Sequence, residues 1–146
     1  MKIPITAITL AALAAGCSTY EADTDPGLVG SEWELAAFIS MDDSIGRIEP
    51  KDDQRFSIAF DDEGSAAMQL DCNRGTANYT LEETGETNGR LTFGPIASTR
   101  AMCPDPQLGD LMARQLPNVV SYTLQDGKLS LALKMDGGIF EFVPAE

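Results

Sequence analysis

Between residues 28 and 143, apolar side chains recur at every second position in short runs separated by clusters of Asp, Gly, Asn and Pro. A period of two places alternate side chains on opposite faces of an extended chain, so each run predicts a half-buried strand. Trp33, Leu35 and Ala37 alternate with Glu32, Glu34 and Ala36, predicting a first strand with Trp33 turned into a core. Phe56, Ile58 and Phe60 alternate with Ser57 and Ala59. Asp61-Asp62-Glu63-Gly64 then turns the chain, and Ser65 to Asp71 returns with Met68 and Leu70 on one face, a hairpin. Tyr79 and Leu81 mark a strand over 77–81. Arg90 to Phe93 is its return, and Asn88-Gly89 suits the positive φ of a tight turn. Near the end, Val120, Tyr122 and Leu124 alternate, Gln125 to Lys128 turns, Leu129, Leu131 and Leu133 alternate, and Phe140 and Phe142 follow a Gly-containing turn.

One stretch breaks this period. Leu108, Leu111, Met112 and Leu116 are spaced three, four and eight positions on from Leu108, which puts them on one helical face. The spacing predicts a helix over 106–116, with Asp105 as its N-cap, Pro106 in its first turn and Pro117-Asn118 as its stop. A Leu/Met face of this kind is core packing. Residues 40–54 carry Asp42-Asp43, Gly46, Pro50 and Asp52-Asp53 without a period and predict a loop. A calcium loop starting at Asp42 fails, because its third and fifth positions are Ser44 and Gly46. The pattern predicts a mainly β (α+β) single domain of about eight strands and one short helix over residues 28–146.

Composition is that of an ordinary globular chain, 43% hydrophobic and 23% charged. Charge is not ordinary. The net charge is −13, and the ten Lys and Arg form no basic run. Such a balance argues against nucleic acid as a partner, since phosphate binding needs clustered cations, and against docking on anionic headgroups. The chain has no His, the commonest general base and metal ligand. It also lacks a G-x-S-x-G run and a Gly-rich phosphate loop. The sequence therefore predicts a non-enzymatic protein with no cofactor and no metal site.

The first residues change the picture again. Met1-Lys2 precedes an apolar run, Ile3 to Ala15, shorter than the about 20 residues of a spanning helix. It reads as a secretory signal over 1–16. Leu13-Ala14-Ala15-Gly16-Cys17 resembles a bacterial lipoprotein box, with Ala14 rather than Leu three positions before the cysteine. That resemblance implies lipidation of Cys17, and several acyl chains at about 0.8 kcal/mol per buried CH₂ hold a domain on a membrane without a transmembrane helix. Ser18, where an Asp would retain such a protein at the inner membrane, implies an outer-membrane anchor facing the periplasm. Residues 17–27 are polar, acidic and closed by Pro26-Gly27, a flexible acylated tether.

With Cys17 set aside, Cys72 and Cys103 are the remaining thiols. Two cysteines in an exported chain imply a disulfide. Two buried free thiols are the alternative. A zinc or iron–sulfur site needs more ligands, and a redox pair needs the Cys-x-x-Cys spacing that is absent here.

The flanks of these cysteines carry a resemblance. Trp33 near the start, Cys72-Asn73-Arg74-Gly75, then Leu91 to Thr99 (LTFGPIAST), then Met102-Cys103-Pro104 are similar to the META domain family, which includes the heat-shock-inducible lipoprotein HslJ. The resemblance covers residues 28–143 and departs from the family in the helix, where Asp110 is the nearest acid to a frequent Glu. It implies a curved antiparallel sheet approaching a small barrel with the helix over one side. It does not imply an enzyme; it ties the chain to stress response, antibiotic tolerance and, in some members, motility or secretion. The function expected here is that of a monomeric envelope-integrity protein acting through a protein partner. The alternative is a small β-barrel binding module for a small ligand, or a protease-inhibitor-like domain. Within the motif runs, Asn73 is suited to an αL position or to capping backbone groups, and Gly75 to a bend. Arg74 and Arg100, if partly buried, should pair with Asp71 or another carboxylate, or bond loop carbonyls. Asn73, Arg74, Gly75, Ser98, Thr99, Arg100, Met102 and Pro104 are then either scaffold around the Cys72–Cys103 clamp or an anion- or peptide-binding surface.

Overall fold

The alternating runs close on themselves. A computed structural model describes residues 27–146; the expected signal segment over 1–16, Cys17 and the expected tether up to 27 lie outside the described residues but for Gly27. Ten strands form one antiparallel sheet: β1 (Glu32–Ile39), β2 (Arg47–Ile48), β3 (Phe56–Phe60), β4 (Ser65–Leu70), β5 (Asn73–Glu83), β6 (Asn88–Phe93), β7 (Ala97–Ser98), β8 (Val119–Gln125), β9 (Lys128–Leu133) and β10 (Ile139–Pro144). In space β1, β3, β4, β5, β6, β8, β9 and β10 follow one another, and β10 pairs back to β1. This is an eight-stave up-and-down barrel, which leaves its staves no long free edge. The two-residue strands β2 and β7 are extras, on β1 and β5 respectively.

Period-two patterning sets the inside. Phe56, Ile58, Phe60, Ala66, Met68, Leu70, Leu91, Leu129, Leu131, Phe140 and Phe142 are all buried, together with Trp33, whose Nε1–H donates to the Ser31 hydroxyl at 2.6 Å. A barrel of eight strands is just wide enough for its side chains to fill it, and these residues form one continuous core.

Several local expectations need correction. β1 carries a register shift between Leu35 and Ala37, so Ala37 and Phe38 are both buried and strict alternation ends there. A second shift, between Val119 and Ser121, turns Val119 inward and leaves Val120 exposed. Such bulges insert a residue and reverse which face the following side chains take. Asn88-Gly89 is strand rather than turn. A Cβ on Gly89 would collide with the Glu82 carbonyl and stand 2.8 Å from the Tyr122 ring, so the glycine serves close approach, not a bend. The Asp126-Gly127 turn, with φ of 53° and 70°, does match its expected chemistry.

The helix α1 (Gln107–Gln115) lies across one end of the barrel, with a short 3-10 turn (Leu116–Asn118) leading into β8. Leu108, Met112 and Leu116 are buried in the core. Gly109 sits close against β4: a Cβ there would stand 3.2 Å from the Leu70 carbonyl oxygen. The opening carbonyl is that of Pro106, which accepts from Asp110 N–H at 2.9 Å, so the cap position is Pro106 and Asp105 lies one residue outside.

The chain enters at the opposite end. Gly30 N–H donates to the Phe60 carbonyl at 2.8 Å, and Ala145 N–H donates to the Glu32 carbonyl at 3.1 Å. Entry and exit therefore share one end of the barrel, while the helix, the Cys72 turn and the 99–106 segment share the other.

Candidate functional site

At the helix end, β4 passes into β5 through a turn of two residues. Asp71 takes φ 59°, a left-handed conformation that Asp tolerates. The Gln69 carboxamide donates to the Asp71 carbonyl across this turn. Asn73 was a candidate for that αL position; it is instead the first residue of β5, where its side chain does the capping. Ala101 N–H donates to Asn73 Oδ1 at 2.7 Å, and Asn73 Nδ2 donates to the Ala101 carbonyl at 3.0 Å. The Thr99 hydroxyl donates to the same Oδ1 at 2.9 Å and accepts from Arg74 N–H at 3.0 Å, while Thr99 N–H donates to the Arg74 carbonyl at 2.9 Å. Cys72 and Cys103 sit at disulfide-bonding geometry, Cα atoms 5.7 Å apart, with Cys103 buried and Cys72 exposed. The segment from Ser98 to Cys103 is thus pinned by β-pairing of Ser98 with Gly75, by Asn73, and by the sulfur bridge.

Gly75 is not at a bend. Its absent side chain lets β7 approach: a Cβ there would meet Ile96 Cγ2 at 3.1 Å and Leu70 Cδ1 at 3.3 Å. Arg74 and Arg100 are exposed, and neither forms an ion pair among the described residues, so the expected pairing with Asp71 is not made. The sequence condition for that pairing, partial burial, is not met either. Met102 is 97% exposed, and Pro104 is exposed beside it.

An open groove of about 510 Å³ lies between the 98–103 segment and α1; Arg74, Gly75 and Pro104 are not among the residues that line it. Asn73, Ser98, Thr99, Arg100 and Met102 lie on one wall. Gly109, Asp110, Ala113 and Arg114 of α1 form the other. Sequence reasoning missed the helix wall. The available signal was Asp110 and Arg114 four apart on the polar face of a helix whose other face is Leu and Met.

A second groove, of about 650 Å³, lies on the other flank of α1 against Phe38, Ile45 and Ile48. Its floor is fixed by a buried Gln54, which accepts from Lys51 N–H at 3.1 Å and donates to the Asp105 carbonyl at 3.2 Å. Lys51 Nζ and the Asp105 carboxylate are 2.5 Å apart. The lysine bond, then the Gln107 backbone N–H, hold the Asp105 carboxyl below its ordinary value, and the same bond raises Lys51. Lys51 is exposed and Asp105 half-buried, so the pair is worth little in stability. Its effect is to tie the 49–55 loop to the start of α1.

No three His, Cys, Asp or Glu side chains converge as a metal site among the described residues. The polar atoms of Asn73 and Thr99 are spent on holding the 98–103 segment, whereas Arg100 and Arg114 form no ion pair among the described residues.

Comparison with known proteins bears on what this arrangement is. No curated protein matched. An NMR structure of a protein from Burkholderia xenovorans superposes with a TM-score of 0.66 at 21% identity, over 98% of this chain and 99% of that one. A crystal structure of a DUF4847 family protein from Bacteroides vulgatus is similar with a TM-score of 0.54 at 16% identity, over 78% of this chain and 92% of that one. At these identities the likenesses show the fold alone. The META domain model matches residues 26–146, a span that takes in the whole barrel, the helix and both cysteine runs, and the chain belongs to the META domain family.

Proposed function

We propose that this META-domain protein is an envelope lipoprotein, anchored through Cys17 in the outer membrane and facing the periplasm, which protects the envelope under stress by engaging a protein partner rather than by catalysis. The observation that carries the reading is the polarity of the barrel. The chain enters beside Phe60, at the end remote from α1, so a tether from Cys17 would leave the helix end, with both grooves and the motif residues, turned away from the bilayer. The apolar run ahead of Cys17 supports the anchor, and the absence of His supports the non-enzymatic part.

Metabolic labelling with an alkyne fatty acid tests the anchor. Label is expected on the native chain and lost in Cys17→Ser, with the variant released from the membrane fraction. Unchanged labelling in the variant would overturn it. In-cell crosslinking with pull-down of the anchored protein tests the partner, and absence of any specific adduct from the helix end would remove it. The two open grooves favour a second reading, a small-ligand binding module, which the same crosslinks would report as a partner-free protein, or a protease-inhibitor-like domain, for which the captured partner would be a protease.

A further inference from the structure

We infer that the groove between the 98–103 segment and α1 receives the C-terminal end of a partner protein, its carboxylate held between Arg100 and Arg114 and its last apolar side chain against the small floor of the groove. The inference deepens the partner reading above and rests on it.

The two arginines lie on opposite walls, one on a pinned loop and one on a helix. Neither is engaged in an ion pair among the described residues, although the chain carries 23 carboxylate side chains. Asp110, one turn before Arg114, and Asp71 also border the groove and leave both guanidiniums unpaired. A guanidinium presents a planar fork of donors that matches a carboxylate in bidentate fashion. Leu70, Gly109 and Ala113 supply a shallow apolar floor, and Met102, 97% exposed, supplies an adaptable apolar edge. The volume falls in the roughly 300–1,000 Å³ range of small recognition sites. The groove is open at the surface, so a chain can run out of it.

Net charge narrows the ligand. A chain at −13 repels a polyanion at long range. A single terminal carboxylate on an otherwise apolar or neutral segment avoids most of that repulsion and still uses both arginines. Asp71 and Asp110 then stand as acceptors for the backbone N–H groups of the incoming segment. The walls are rigid, because Asn73 and the Cys72–Cys103 bridge hold one and Gly109 seats the other on β4. A preordered site keeps the entropic cost of binding low.

The test is fluorescence anisotropy with the full chain in detergent micelles and the probe fluorescein-Gly-Gly-Ala-Leu, ending in a free carboxylate, beside the same peptide as its C-terminal amide. The free acid is expected to bind at least about tenfold more tightly than the amide, and Arg100→Ala and Arg114→Ala are each expected to weaken it by about tenfold or more. Both variants should melt as the native protein does, since neither arginine is buried or paired. Equal binding of acid and amide, binding unaffected by either variant, or no binding by the native chain would overturn the inference. Competition by sodium acetate equal to that by unlabelled peptide would also overturn it, as a simple anion site. Loss of labelling at Cys17 or of the crosslinked partner speaks to the broader reading alone, and a retained partner with no peptide binding would sink this inference alone.

Discussion

Asn73 and Ala101 are paired as two strand residues would be, with a carboxamide standing in for one backbone: Ala101 N–H to Asn73 Oδ1 at 2.7 Å and Asn73 Nδ2 to the Ala101 carbonyl at 3.0 Å. The side chain thereby extends the β5 ladder over a segment that has no strand partner of its own. An amide is the side chain that offers donor and acceptor side by side. Asn73→Ala is therefore expected to destabilise the domain by about 1–2 kcal/mol in urea unfolding. Asn73→Asp keeps the acceptor, loses the donor and sets a carboxylate against a carbonyl, so it should not rescue. A midpoint within the scatter of surface substitutions would show the pairing to be energetically idle.

The sulfur bridge closes a separation of 31 residues between the β4–β5 turn and the approach to α1. Chain-entropy reasoning puts its contribution at roughly 3–4 kcal/mol. The Cys72→Ser, Cys103→Ser double variant should lose that much stability. It should also be more sensitive to Asn73→Ala than the bridged protein is, because the two hold the same segment. Strictly additive losses would mean that the bridge and the carboxamide act on separate parts of the fold.

Gly109 separates propensity from packing. In an isolated helix Gly109→Ala would gain about 1 kcal/mol. Here the new Cβ stands 3.2 Å from the Leu70 carbonyl oxygen, a backbone atom of a closed barrel that has little freedom to retreat. We expect a net loss of about 1–2 kcal/mol and a displacement of α1 visible as amide shifts at Leu70 and Phe56. A stabilised variant would show that the helix is seated more loosely than this contact implies.

Tyr122 contributes to the loss of stability at alkaline pH. Burial, and then the charge of Glu83, raise its phenol above the ordinary value of 10.0. The unfolded phenol loses its proton near pH 10, while the folded one keeps it to higher pH. The contribution to stability is therefore full below about pH 10 and falls away as pH rises through the folded value. Tyr79, raised chiefly by burial, acts in the same direction. The Tyr122→Phe variant should show a shallower loss of stability above pH 10, followed by urea midpoints at stepped pH. An identical alkaline profile would place the sensitivity elsewhere.

Where the chain alternates cleanly, as in Phe56–Phe60 and Leu129–Leu133, the strands are legible in the sequence because local period and burial agree. The helix is legible for the same reason. The two bulges are not, since one extra residue leaves no local mark and only the paired strand reveals it. The length of β5 was also hidden: Asn73 to Thr76 is polar, and it is strand because β4 and β7 supply its ladder. At the candidate site, the special character of Cys72, Asn73, Thr99 and Cys103 was visible from their types. That Arg114 of the helix would line the same groove as Arg100 was not, because nothing local couples two positions brought together by the path of β7 and the turn before α1.

The pairing of β1 with β10 joins Trp33 to Pro144. During synthesis, the first stave must wait for the last one, with one hydrogen-bonding edge uncovered until nearly the whole domain has been made. Long-range closure of this kind is slow, and an open edge invites foreign strands. A premature stop anywhere before Ile139 would thus leave a sticky ribbon rather than a smaller barrel, which makes the final eight residues a checkpoint for the entire molecule.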